Sequence, residues 1–168
     1  MKTAGDMLRP ARKNRYTDFG GGRNLPQALL LAGVFGAGLW LSLFFGFLGV
    51  VAYILLWGAS YPLIYAGTCR YCAYYGKKCP VPLEGSCVQT FFSRSHGAFG
   101  GFQLFWAAAA YFLRIIMPVL AVMVYSAYIS GLLYLMLLAS FWVVHLRLSG
   151  CPNCINTACP LNPDFTAV

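Results

Sequence analysis

Residues 25–67 read LPQALLLAGVFGAGLWLSLFFGFLGVVAYILLWGASYPLIYAG, an apolar run without one charged residue. A helix needs about 20 residues to cross a hydrocarbon core, so this run is too long for one crossing and long enough for two. Two glycines in its middle, within Phe45-Gly46-Phe47-Leu48-Gly49, permit a chain reversal. Asn24 and Pro26 suit a helix start, where proline gives up no intrahelical hydrogen bond. Gly33, Gly36, Gly38 and Ser42 set small residues near one face, which lets a neighbouring helix approach. The run predicts a hairpin of two helices.

Working outward, residues 98–148 form a second apolar run, interrupted by Arg114 and Pro118. Its length predicts another hairpin, with spans near 100–122 and 126–148 turning at Tyr125-Ser126. Arg114 then falls inside a span, where a charge is costly and faces a polar interior or a partner. A competing reading makes Phe99–Leu113 a short interfacial or re-entrant helix and leaves three crossings in all.

Composition points the same way. Apolar residues make up 60% of the chain and charged ones 10%, against about 25% charged in a soluble domain. The expected class is an all-α membrane protein with four transmembrane helices in two hairpins and a small cysteine-rich cytoplasmic layer. The chain divides into a basic flexible tail (1–24), hairpin 1 (25–67), a cysteine-rich loop (68–97), hairpin 2 (98–148) and a cysteine-rich tail (149–168). The N-terminal region is too long and polar for a cleaved signal, and no small-residue cleavage site follows a short apolar core.

The net charge of +8 is concentrated at the ends of the apolar runs. Lys2, Arg9, Arg12, Lys13, Arg15 and Arg23 precede the first run, Arg70, Lys77, Lys78 and Arg94 lie between the runs, and Arg147 ends the second. This is the positive-inside pattern, which puts the N-terminus, the cysteine loop and the C-terminus in the cytoplasm of a cell with its inner or plasma membrane as the lipid partner. Nucleic acid is excluded as a partner, because no basic face with interleaved aromatics lies away from the membrane flanks. With four spans both cysteine clusters share one face; with three they lie on opposite faces.

All seven cysteines fall in the two polar segments: Cys69, Cys72, Cys79 and Cys87 in one, Cys151, Cys154 and Cys159 in the other. Buried structural cysteines behave as small hydrophobes and would scatter through the helices, so this confinement points to a shared role. Each half shows Cys-x-x-Cys and then Cys-Pro, pairing Cys69 with Cys151, Cys72 with Cys154, Cys79 with Cys159 and Pro80 with Pro160. The halves read as a weak internal repeat. A Cys-x-x-Cys turn brings two thiolates onto one chelating loop, suited to an iron–sulfur cluster or, alternatively, zinc. Proline after the closing cysteine is also found in ferredoxin cluster loops, although the spacing here differs. The first segment has four cysteines; the second has three and needs a further ligand, for which His145, His96 and Cys87 are candidates.

No catalytic constellation is visible. The carboxylates Asp6, Asp18, Glu84 and Asp164 all lie outside the spans, which disfavours a proton relay, and no phosphate-binding glycine loop precedes a helix. The expectation is a non-catalytic membrane subunit of a redox complex. It would bind other protein subunits through its basic segments and carry an iron–sulfur cluster for electron transfer, with Arg114, Trp106 and Tyr111 lining a quinone pocket. The alternatives are a zinc-holding scaffold or assembly protein and a membrane thiol–disulfide oxidoreductase. A soft-metal carrier fits less well, since no cysteine lies in a span.

Overall fold

A computed structural model describes residues 11–165, which are helical with no strand among them. Helix α1 (Leu25–Ser42) starts with Pro26 in its first turn, and α2 (Gly46–Gly67) follows a single 3₁₀ turn at Leu43–Phe45. Gly46 takes φ 68°, the left-handed region that glycine enters without a Cβ penalty. There the chain doubles back, so that Tyr53 stacks on Phe35 and its hydroxyl donates to the Phe35 carbonyl at 3.3 Å. Helix α4 (Gly101–Tyr125) and helix α5 (Tyr128–Val143) make the second hairpin, reversing at Ser126 with φ 52°. Between the hairpins lies a short helix, α3 (Glu84–Phe91).

By length and hydropathy, three segments can cross a membrane: the α1–α2 stretch, α4, and α5 with its extension. The first of these is the folded hairpin, so four long helices stand side by side. Helix α1 packs on both α5 and α4, and α2 mainly on α4. At the centre α1 and α4 meet closely. A Cβ on Gly38 would collide with the Tyr53 hydroxyl and lie 3.1 Å from Pro118. Phe47, Leu48, Met123, Ile129, Leu132 and Leu133 point outward and are well exposed. A belt of that kind is compatible with contact to a bilayer and foreign to a soluble surface.

The three-span alternative requires the cysteine clusters at opposite ends, and they are in contact. The Ile155 amide donates to the Tyr74 hydroxyl at 3.2 Å, and Asn156 Nδ2 donates to Cys72 Sγ at 3.6 Å. Of the Phe99–Leu113 stretch, residues 101–113 belong to one continuous helix with Arg114, not to a separate interfacial piece.

Residues 11–24 also differ from the flexible tail expected for 1–24; the basic residues Lys2 and Arg9 lie outside the described part. Residues 13–19 run across both cysteine segments as a strap. The amides of Lys13 and Tyr16 donate to the carbonyls of Pro152 and Asn153, and that of Phe19 donates to Lys78. Phe19 is buried against Tyr16 and Tyr74, and Tyr74 donates its hydroxyl proton to the Tyr16 carbonyl at 2.6 Å. Charge counting reads such a segment as solvated; its two aromatics are what anchor it.

Candidate functional site

The two Cys-x-x-Cys segments fold alike. Each is a single 3₁₀ turn in which the second cysteine's amide donates to the first one's carbonyl: Cys72 to Cys69 at 3.1 Å, and Cys154 to Cys151 at 3.2 Å. Each second cysteine is extended, with φ −80° and ψ 152° at Cys72 and φ −78° and ψ 137° at Cys154. The repeat therefore extends from spacing to backbone conformation.

It extends to the sulfurs as well. The Asn156 amide donates to Cys154 Sγ at 3.4 Å, and the Tyr74 amide stands in the same relation to Cys72. Past each Cys-Pro, where proline offers no N–H, the halves differ: the Leu161 amide lies near the Cys159 sulfur, while the Cys79 thiol itself donates to the Val81 carbonyl at 2.7 Å. Cys154 thus receives the backbone N–H two residues on, and the amides near Cys72 and Cys159 favour their thiolates in the same sense. Donors aimed at sulfur favour its charged form, the form that ligates metal. Gly85 is needed here: its amide also approaches Cys79, and a Cβ would fall 2.5 Å from the Lys77 carbonyl and 2.8 Å from that of Tyr74.

Six thiols, Cys69, Cys72, Cys79, Cys151, Cys154 and Cys159, line one cavity of about 380 Å³ at the end of the bundle. Its other walls are mostly apolar, including Phe99, Leu104, Ala107 and Trp142, with Glu84, Tyr111 and His145 among the polar contributors. All the cysteines are free thiols. Among the described residues no three His, Cys, Asp or Glu side chains stand close enough to hold a single metal ion. The thiols line the space without any three of them closing on one point in it.

Burial dominates their chemistry. It pushes the Cys72 thiol up to about 12 and Cys159 to about 11, with the backbone amides opposing it in part. Cys79 and Cys154 are raised by burial too, and Arg12 is among the groups that pull Cys154 back. Thiol–disulfide exchange uses a partly exposed, electropositive, low-pKa thiolate; these thiols sit in the opposite environment. A positively charged centre within the cavity would supply what the chain's own donors do not.

Two arginines brace the site from opposite sides. Arg12 of the strap donates to the Cys154 carbonyl at 2.7 Å, to Asn162 Oδ1 at 2.7 Å and to Asp164 at 2.7 Å. Inside the bundle Arg114 is almost fully buried, donating to Ser60 Oγ at 2.7 Å and to Glu84 Oε1 at 3.2 Å. Its guanidinium lies over the rings of Tyr111, Tyr61 and Trp57 at 4.6, 4.8 and 5.2 Å, and Tyr111 also donates to Glu84 Oε1 at 3.2 Å. The acids correspond between the halves: Glu84 follows Cys79 by five residues, as Asp164 follows Cys159. Each pairs with an arginine from outside its own loop.

The expected site residues sort as follows. Six of the seven cysteines converge, together with His145 and Tyr111, while Arg114 stands behind Tyr111 and Glu84. Cys87 does not join them; on α3 it packs with Ile64, Tyr65 and Val88. The first segment therefore supplies three cavity thiols, matching the second, and not four. His96 is exposed and away from the cavity. Trp106 lies in a separate groove against Gly67 and Phe102, so the trio with Tyr111 and Arg114 is not assembled. Sequence reasoning missed Glu84, Arg12, Gln27 and Asn156. The matched acid spacing was the one available signal among these.

No family model, curated protein or solved structure matches the chain.

Proposed function

We propose that this chain is a membrane-embedded subunit of a redox complex that holds a thiolate-bound cofactor, an iron–sulfur cluster, in the cavity between its two cysteine segments. The observation that carries the reading is the convergence of six thiols, three from each half, on one space. With no three of them placed around one point, they suit a group of several atoms better than one ion. In a tetrahedral zinc site with Zn–S near 2.3 Å, sulfurs stand only about 3.8 Å apart. Hydrogen bonds to cluster sulfurs and a low-dielectric surround are also the levers that set a cluster's potential, and the apolar walls here provide the second.

In this reading the cluster takes one electron from a partner and hands one on, with no bond made or broken in the protein. The exposed cations around the site, including Lys77, Arg94 and Arg147, would receive an acidic partner subunit and would set this face to the cytoplasm. A quinone, if it accepts the electron, would approach along the wall formed by Tyr111 and Glu84; Trp106 has no part in it.

The test is iron, acid-labile sulfide and zinc analysis of protein purified anaerobically in detergent, with an absorbance spectrum. Iron and sulfide in stoichiometric amount, with broad thiolate-to-iron absorption, support the proposal. Zinc alone turns the protein into a scaffold, and a metal-free protein sinks both readings.

A further inference from the structure

Gln27 of α1 is fully buried at the end of the bundle, and its Nε2 lies 2.8 Å from Nδ1 of His145. His145 lines the thiol cavity. In this orientation the glutamine donates to the ring, and its Oε1 is left buried without a hydrogen-bond partner. The ring itself is firmly held, stacked on Phe141 with centroids 6.0 Å apart and edge-on to Trp142. It belongs to a π-helical turn, Val144–Leu148, that extends α5, a widened geometry frequent at functional sites.

The closeness of the pair also depends on the residue that leads into the second cysteine turn. A Cβ on Gly150 would fall 2.5 Å from the His145 carbonyl, 2.8 Å from its Nδ1 and 3.1 Å from Gln27 Nε2. With hydrogen there instead, the chain closes directly over the histidine and delivers Cys151 to the cavity one residue later.

A histidine that binds metal through one ring nitrogen keeps hydrogen on the other and donates it to a buried acceptor. Gln27 is the residue beside Nδ1, and its amide oxygen is the unpartnered group. We propose that His145 ligates the cavity's metal through Nε2, as a nitrogen ligand alongside cysteine sulfurs, and that Gln27 is its positioning residue. When metal binds, the Gln27 amide turns over and Oε1 accepts the Nδ1–H. A carboxamide does this where leucine or lysine cannot, because its two ends are nearly the same shape and opposite in hydrogen-bonding sense. This inference rests on the reading of the cavity as a metal site.

The experiment is electron spin-echo envelope modulation on the full chain, loaded with iron and sulfide, in whichever redox state is paramagnetic. Strong ¹⁴N coupling is expected in the wild type. It is expected to vanish in His145→Cys, a variant that retains the iron and its absorbance. Gln27→Leu should weaken metal retention 10- to 100-fold and Gln27→Glu, which still accepts from Nδ1–H, should restore it. Iron-loaded wild type without ¹⁴N coupling, or coupling that survives in His145→Cys, overturns the assignment while leaving the thiolate site standing. A wild type that takes up no iron overturns both.

Discussion

Glu84→Gln tests whether the buried ion pair is what admits a charge into the bundle. In the native fold Arg114 has three supports: the Glu84 carboxylate, Ser60 and three aromatic rings. Removing one member of a buried pair costs about 3–5 kcal/mol, chiefly because the other charge is left uncompensated. Arginine cannot relieve this by losing its proton, so Glu84→Gln should cost about 3 kcal/mol even with Ser60 and the rings retained. The reverse change is milder. Burial already pushes the Glu84 carboxyl up despite Arg114 beside it, so in Arg114→Met it takes a proton and becomes neutral. The loss is then one charged hydrogen bond and the ring contacts, about 1–3 kcal/mol. The double variant Glu84→Gln/Arg114→Met should cost less than Glu84→Gln alone, since no charge remains. Unfolding in mixed micelles by added dodecyl sulfate, followed by tryptophan emission, reads all three; Trp57, against Arg114, is a local reporter. Costs that simply add in the double variant would refute the pairing.

Other expectations follow from single contacts. Gly67→Ala drives a Cβ into the Trp106 side chain and should cost about 1–3 kcal/mol by overpacking, with Trp106→Ala in the same chain recovering part of it in the same unfolding assay. Cys87→Ser should leave bound metal unchanged, since Cys87 is not among the residues that line the cavity; lost metal would restore it to the ligand set. Arg12 and Arg15 hold the Asp164 carboxyl below its usual range, the Arg12 hydrogen bond being the main cause. A depressed carboxylate contributes above its ordinary value, near 3.8, and the contribution is lost as pH falls through the lower folded value. The protection of the Tyr16 amide, its exchange rate taken relative to that of an unfolded chain at the same pH, should therefore fall below about pH 4, and Asp164→Asn should lower it at neutral pH and flatten the dependence.

The long helices were legible because their cause is local. The uncharged length of 25–67 demands two crossings, and the reversals expected at Phe45–Gly49 and Tyr125-Ser126 occur at Gly46 and Ser126. The cysteine correspondence was legible from spacing, and the backbone repeats it turn for turn. What escaped depends on contacts distant in sequence. Arg114 inside a span needs a partner, but Glu84 lies thirty residues away, at the start of α3. The strap escaped because Phe19 and Tyr16 sit among basic residues, whose charge signals a solvated segment. Trp106 and Tyr111 share a helix without sharing a face, which a list of residues on one span does not distinguish. Cys87 was grouped by nearness in sequence, and α3 turns it away.

The central claim is that both halves build one centre. Replacing Cys72 and Cys154 singly by serine, and measuring iron per chain against the wild type, tests it most directly. If the six thiols serve one group, each variant loses essentially all its iron, although the other half keeps its three cysteines intact. Retention of about half the iron in each variant would mean two independent sites, and unchanged iron in either would contradict the shared cavity as the place where metal binds.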